Sequence, residues 1–244
     1  MKKLFIIKCL LLTAIFCRAQ RGDPALTELW SPVPAVVAPG YTSLDAPSDA
    51  IILFNGKDAS QWQTKDDKPH SWKVADNMLT IPSLGGDIKT KQSFGDCQLH
   101  IEWRTPAVVS GEGQGRGNSG IFLMGRYELQ VLDSYNNSTY SNGQAGSIYK
   151  QHIPMVNASR APGQWQVYDI IFTAPQFFES GALKSPARMT ALHNGVLILN
   201  NVTLWGATQF IGVPKYEKHA LKEPLLLQDH RNPVSFRNIW IREL

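Results

Sequence analysis

Glu128, Gln130 and Asp133 follow a glycine-rich stretch, Gly115-Arg116-Gly117-Asn118-Ser119-Gly120, and the strand Ile121-Phe122-Leu123. They put acids and an amide where a half-buried strand ordinarily carries neutral residues. From Tyr127 the side chains alternate, so Tyr127, Leu129 and Val131 face a core while Glu128 and Gln130 stand together on the other face. A bulge after Val131 would bring Asp133 onto that face, and bulges are frequent beside active sites. A second polar pair, Gln228 and His230, ends the apolar run Pro224-Leu225-Leu226-Leu227. Strict alternation gives Gln228 and His230 one face with Leu226, and gives Asp229 the other, where it bonds loop amides. Two carboxylates and an imidazole that converge could move protons to and from a bound molecule, because each can be tuned to titrate near working pH. Spacing leaves open which is acid and which is base. A solvated sheet face, with the histidine tied to a backbone carbonyl, fits the same pattern.

Asn118, Gly120, Phe122 and Met124 share a face by the same rule, offering an amide, an open backbone and an aromatic wall for a cleft. Asn118-Ser119-Gly120 also reads as a turn entering a strand. Arg126 could hold a developing negative charge or a pendant carboxylate, or be a solvated loop cation. His193 stands before a hairpin turn and is expected to be exposed.

The elements that must position these groups are strands. Cys97, Leu99, Ile101 and Trp103 alternate with Gln98, His100, Glu102 and Arg104 in a half-buried strand ended by Pro106. Asn194-Gly195 between two apolar runs, 189–193 and 196–199, is a strong hairpin signal, since both turn residues need positive φ. Further strands are expected at 51–54, 71–74, 78–81, 165–173, 224–229 and 234–243. There is no sustained helical period and no internal repeat, so the chain reads as an all-β, two-sheet sandwich over 51–244. Residues 20–50, with Pro24, Pro32, Pro34, Pro39 and Pro47, read as an extended proline-rich segment along its surface.

Residues 1–19 read as an export signal: Lys2 and Lys3, an apolar run from Leu4 to Phe16 broken by Lys8, then the small-x-small site Cys17-Arg18-Ala19. Cleavage would leave Gln20 first and the protein periplasmic or secreted, with no membrane insertion, since no later run approaches the roughly 20 apolar residues of a span. Four of the 24 basic residues and none of the 20 acidic ones lie in the signal, leaving 20 of each. A near-neutral mature chain gives no reason to expect nucleic acid as a partner. Two of the three cysteines also go, and Cys97 alone makes no internal disulfide. His152, His193, His219 and His230 have no paired metal-ligand spacing, so neither a metal nor another cofactor is expected.

A set of short motifs occurs in order from about residue 50 to the C-terminus. It runs Leu53-Phe54-Asn55-Gly56-Lys57-Asp58 with Trp62, Trp72-Lys73-Val74, Asn118-Ser119-Gly120-Ile121-Phe122, Tyr127-Glu128-Leu129-Gln130-Val131-Leu132-Asp133, His193-Asn194-Gly195-Val196, Leu227-Gln228-Asp229-His230 and Phe236-Arg237-Asn238-Ile239-Trp240-Ile241. Together they resemble the 3-keto-disaccharide hydrolase domain family. The resemblance implies a jelly roll of the concanavalin A-like lectin and glucanase type, and an oligosaccharide or glycoside substrate. It implies cleavage of 3-keto-glycosides by proton abstraction at C2, elimination and hydration. Glu128, His230 and Asp133 are then the catalytic candidates, and Asn118, Arg126, Gln130, Gln228 and Trp205 the substrate-binding ones, Trp205 as a stacking platform and the other tryptophans mostly as core. Lys150 and Arg231 stand where the resemblance leads one to expect glycine.

Two other functions fit the same fold. Glu128-x-Gln130-x-x-Asp133 is similar to the Glu-x-Asp-x-x-Glu signature of retaining laminarinase and lichenase glucanases, with an amide in place of the central acid. A carbohydrate-binding module without catalysis is equally compatible. The oligomeric state, the aglycone and the linkage stay open.

Overall fold

The structure is a computed structural model that describes residues 22–244; the signal read at 1–19 and the start at Gln20 lie outside the described residues. The chain forms two compact units, divided between Val36 and Val37. In the described part of the first, Pro24–Thr27 make one 3-10 turn, capped by the Asp23 carboxylate, which accepts from the Ala25 amide at 3.1 Å.

The second unit carries fifteen strands among the described residues. In chain order they are β1 (Ile51–Phe54), β2 (Trp62–Thr64), β3 (Lys73–Ala75), β4 (Met78–Thr80), β5 (Ile88–Phe94), β6 (Cys97–Arg104), β7 (Ser119–Leu123), β8 (Tyr127–Val131), β9 (Gln166–Thr173), β10 (Gln176–Phe177), β11 (Leu183–Ser185), β12 (Arg188–His193), β13 (Val196–Thr203), β14 (Glu223–Leu227) and β15 (Ser235–Glu243). An eight-stranded sheet runs β13-β12-β9-β6-β15-β4-β3 with β1 added on β15, and a five-stranded sheet runs β2-β5-β14-β7-β8; β10 and β11 form a separate ribbon. This is the expected jelly-roll sandwich, antiparallel at every strand pairing.

Alternation builds the core. Leu99, Ile101 and Trp103 of β6 and Tyr168, Ile170 and Phe172 of β9 belong to one buried cluster with Ile121 of β7, Leu129 and Val131 of β8 and Leu227 of β14. Burying a side chain of this size stabilises the fold by roughly 1.5–3 kcal/mol. The Tyr168 hydroxyl crosses between the sheets and donates to the Gln130 carbonyl at 2.9 Å. Asn194 and Gly195 have φ of 53° and 80°, the geometry the hairpin between β12 and β13 demands. Met124 and Gly125, with φ of 54° and 63°, repeat it between β7 and β8. That turn ends the alternation, so Met124 packs in the core and does not share the face of Asn118 and Phe122.

His100 and Glu102 do not face solvent as their alternation suggested; they are 0% and 3% exposed. Trp240 stacks on His100 with ring centroids 5.1 Å apart, and the Leu44 carbonyl accepts from Asn238 Nδ2 at 2.8 Å and Trp240 Nε1 at 3.2 Å. Burial alone would raise the Glu102 carboxyl, but hydrogen bonds from His100, Asn238 and Arg237 outweigh it and hold the group at about 2. His100 is raised because its bonds to Asp169 and Glu102 outweigh the burial that would lower it. Cys97 is a buried free thiol, pushed up to about 12 chiefly by burial.

Candidate active site

Strands β14, β7 and β8 lie side by side, and their register aligns residues distant in sequence. Leu226 pairs with Phe122, and Phe122 with Glu128. One step along, Gly120 pairs with Gln130, and its carbonyl accepts from the Gln228 amide at 3.0 Å. Paired residues in antiparallel strands point to the same side, so Phe122, Glu128, Gln130 and Gln228 share the outer face of the five-stranded sheet, away from the core. Glu128 and Gln130 are nonetheless 5% and 1% exposed, because loops cover this face.

Beneath those loops is a cleft of about 590 Å³. Glu128, Gln130, Gln228 and Asn118 supply its polar side. Tyr140, Tyr149 and Phe210 come from the covering loops, and His230, exposed, also lines it. The sheet and the segment after β14 therefore bring Glu128, Gln130, Asn118, Gln228 and His230 around one space.

Gly120 makes room for the Glu128 carboxyl. A Cβ on Gly120 would lie 2.6 Å from Glu128 Oε1 and 2.7 Å from Phe122 Cε2, so the carboxyl occupies the space a side chain would fill. The Glu128 amide donates to Thr208 Oγ1 at 3.0 Å, tying the strand to the covering loop. One end of the Gln130 amide faces two acceptors, Ser119 O at 3.0 Å and Glu128 Oε1 at 3.1 Å, which assigns its nitrogen to that side and makes it a donor to the carboxyl. Burial, reinforced by the negative charge of Asp87, pushes the Glu128 carboxyl up to about 8. At neutral pH it is therefore largely a neutral acid with a proton to give.

Asn118 is 3% exposed; its Nδ2 donates to the Gln114 carbonyl at 2.7 Å, and its backbone amide donates to Asn232 Oδ1 at 2.6 Å. Gln228 Oε1 is buried with no hydrogen-bond partner among the described residues, an acceptor in need of a donor. Asp229 faces the other way: its carboxylate accepts from the Gly86 and Arg231 amides at 2.8 and 2.7 Å, the bracing of loop amides its parity suggested.

Three sequence candidates are elsewhere. Asp133 lies two residues beyond the end of β8 at Val131, where its amide donates to the Arg116 carbonyl at 3.2 Å. Its carboxylate is bound by Arg116 Nε at 2.8 Å and by the Tyr135 amide at 3.2 Å, and it borders a separate small cavity. Arg126 forms a fork with Glu223, at 2.6 and 3.1 Å, outside the cleft lining; the Glu223 hydrogen bond is the main reason its pKa is raised. Trp205 packs on His152 with centroids 5.0 Å apart, 54% exposed and also outside the lining. His193, expected at an exposed hairpin end, is 1% exposed between Trp103 and Tyr168, and burial lowers it to about 3.

The alternation rule missed Gln114, Tyr140, Tyr149, Thr208 and Phe210, which reach the cleft from irregular segments. Lys150 and Arg231 have φ of 58° and 63°, a backbone region that costs a residue with a side chain about 1–2 kcal/mol and that glycine enters freely. Their standing in place of glycine is thus a structural cost. Among the described residues no three His, Cys, Asp or Glu side chains gather as a metal site.

The family described as 3-keto-alpha-glucoside-1,2-lyase-like domain matches residues 49–242. A structure from Parabacteroides distasonis, provisionally described as a glycosyl hydrolase, is 51% identical over 91% of this chain and 97% of its own, with a TM-score of 0.87. Two further structures from that organism, described in the same terms, share the fold at 20% and 19% identity. They cover 80% of this chain and 94% and 99% of their own, with TM-scores of 0.59 and 0.52. No functionally curated protein matches.

Proposed function

Because this chain belongs to the 3-keto-alpha-glucoside-1,2-lyase-like domain family, we propose that its cleft cleaves the glycosidic bond of 3-keto-glycosides by elimination and hydration. A ketone at C3 acidifies the C–H at C2. His230 removes that proton and the electron pair passes onto the C3 oxygen as an enolate. The enolate re-forms the ketone as C1=C2 forms and the C1–O bond breaks, and the departing oxygen takes the proton held by Glu128. Water then adds, hydroxyl to C1 and hydrogen to C2: the exposed His230 ring exchanges its proton with solvent before protonating C2, and Glu128 recovers one from the water. The balance is glycoside plus water to 3-keto sugar plus alcohol. Gln130 orients the Glu128 carboxyl, and the buried Gln228 Oε1 is an acceptor suited to a sugar hydroxyl.

The observation that carries this reading is a buried Glu128, its carboxyl pushed up to about 8 by burial, as the one carboxyl group lining the cleft among the described residues. A retaining glucanase needs two carboxyl groups about 5–5.5 Å apart. Here Gln130 is an amide and Asp133 is bound by Arg116 outside the cleft. Elimination needs only one acid and one base. As part of the same proposal, the signal read over residues 1–19 sends the enzyme to the periplasm or beyond.

The test is turnover of a 3-keto-glucoside in D₂O beside its unoxidised parent and laminarin. Early product carrying deuterium at C2, with both other sugars untouched, is the expected result. Product that keeps its C2 proton would overturn elimination, laminarin cleavage would restore the glucanase, and binding without turnover would leave a carbohydrate-binding module.

A further inference from the structure

Lys150 occupies a costly backbone conformation, and its side chain does something specific there. At φ 58° the residue forgoes the freedom glycine would have. Its Nζ donates to the Phe210 carbonyl at 2.6 Å and lies 4.3 Å from the centre of the Phe210 ring, 5.6 Å from that of Tyr149 and 5.9 Å from that of Tyr140. One ammonium thus gathers three rings, and all three line the cleft. The Tyr140 and Tyr149 hydroxyls are themselves joined at 2.5 Å. Phe210 is 69% exposed, with Ile211 and Val213 beside it at 82% and 84%, so its own burial does little to hold it. Its segment is fixed at the near end by Thr208, whose hydroxyl accepts from the Glu128 amide and whose amide donates to the Arg126 carbonyl at 2.9 Å. Beyond Thr208, the hydrogen bond and ring contact from Lys150 are what tie Phe210 down.

We propose that Lys150 is a positioning residue that fastens Phe210 to Tyr140 and Tyr149 as one aromatic wall, and that this wall receives a leaving group with an apolar, planar face. The polar groups of the cleft, Glu128, Gln130, Asn118 and Gln228, lie on and beside the sheet and suit the sugar. The wall offers rings, whose faces pack on C–H or aromatic surfaces. This inference rests on the cleft being the site of glycoside cleavage.

The test uses Lys150→Gly and Lys150→Arg in the full chain. In the glycine variant, amide hydrogen exchange across 207–213 is expected to accelerate about ten-fold or more. Its preference for an aryl over a methyl 3-keto-glucoside, as the ratio of kcat/KM, is expected to fall about ten-fold through KM, the scale of one lost cation–π fastening. Its Tm is expected not to fall, since glycine relieves the backbone. Arginine, which keeps the cation and a donor, is expected to restore both exchange protection and aryl preference. Unchanged exchange in Lys150→Gly overturns the fastening whatever the substrate is. Faster exchange with an unchanged aryl-to-methyl ratio overturns the role in leaving-group selection. A wild-type protein inert to both keto-glucosides refutes the proposed function and with it the role in selection, while the exchange comparison still decides the fastening.

Discussion

Glu128→Gln separates chemistry from stability by making them move in opposite directions. In the unfolded chain the carboxyl ionises near its ordinary 4.5, whereas in the folded protein burial and the charge of Asp87 keep its proton to about 8. Between these values folding takes up a proton, so the contribution of Glu128 to stability is fully present below 4.5 and is lost as pH rises to 8. At about 1.4 kcal/mol per pH unit, the full span corresponds to roughly 4–5 kcal/mol, and local water entry and the lost bond to Gln130 leave about 2–3 kcal/mol as the net expectation. Glutamine has the same shape and never ionises. The variant should therefore match the wild type near pH 4.5 and exceed it at pH 8.5, with Tm higher by about 4–10 °C for a domain of this size. Activity on a 3-keto-glucoside should fall by about 10²-fold or more, because the amide has no acid proton to give. In the wild type kcat should decline above pH 8 as the proton is lost. Thermal melts of both proteins from pH 4.5 to 8.5 read the first claim. A variant less stable at every pH, or a difference flat in pH, would mean that the folded protein holds a carboxylate, and the acid role would fall with it.

His230→Ala should reduce turnover by about 10²-fold or more while stability stays within about 0.5 kcal/mol, because the ring is exposed; an unfolded variant in a circular dichroism melt would contradict this. Gly120→Ala puts a methyl 2.6 Å from Glu128 Oε1, and is expected to lower kcat at least ten-fold and stability by about 1–3 kcal/mol, read by kinetics and urea unfolding. Asp133→Asn should do the reverse of Glu128→Gln, costing about 1–3 kcal/mol by weakening the bond from Arg116 yet leaving kcat within two-fold, and a large loss of kcat would return Asp133 to the chemistry. Mass spectrometry of the exported protein is expected to find Gln20 first; a lipid on Cys17 would refute the signal as read.

The sandwich was readable where one face of a strand is apolar and the other polar, as in β6 and β8, and where turn chemistry is explicit, as at Asn194-Gly195. Strand β5 was not, because between Ile88 and Phe94 its inward-parity positions carry the polar Thr90, which is buried, and Gln92, which is exposed. Parity also placed Glu128, Gln130 and Gln228 correctly on one face, since cross-strand register preserves it. It could not say that the face is roofed: Tyr140, Tyr149 and Phe210 come from segments with no period, and the burial that raises Glu128 is their work together with the sheet. Asp133 is held outside the cleft lining by Arg116, which lies seventeen residues back, where spacing offers no cue. His100 and Glu102 failed for a related reason, a neighbouring segment covering what looked like a wet face.

That covering segment bears on where this folding unit starts. The family match begins at residue 49, but the Leu44 carbonyl receives the side-chain donors of Asn238 and Trp240 on the last strand. A polypeptide cut at the family boundary would leave the indole and amide of the C-terminal strand without that acceptor, and would uncover the ionised Glu102 beneath. The smallest piece worth expressing must therefore reach back past the family boundary to include Leu44, and the compact unit that holds Leu44 begins at Val37.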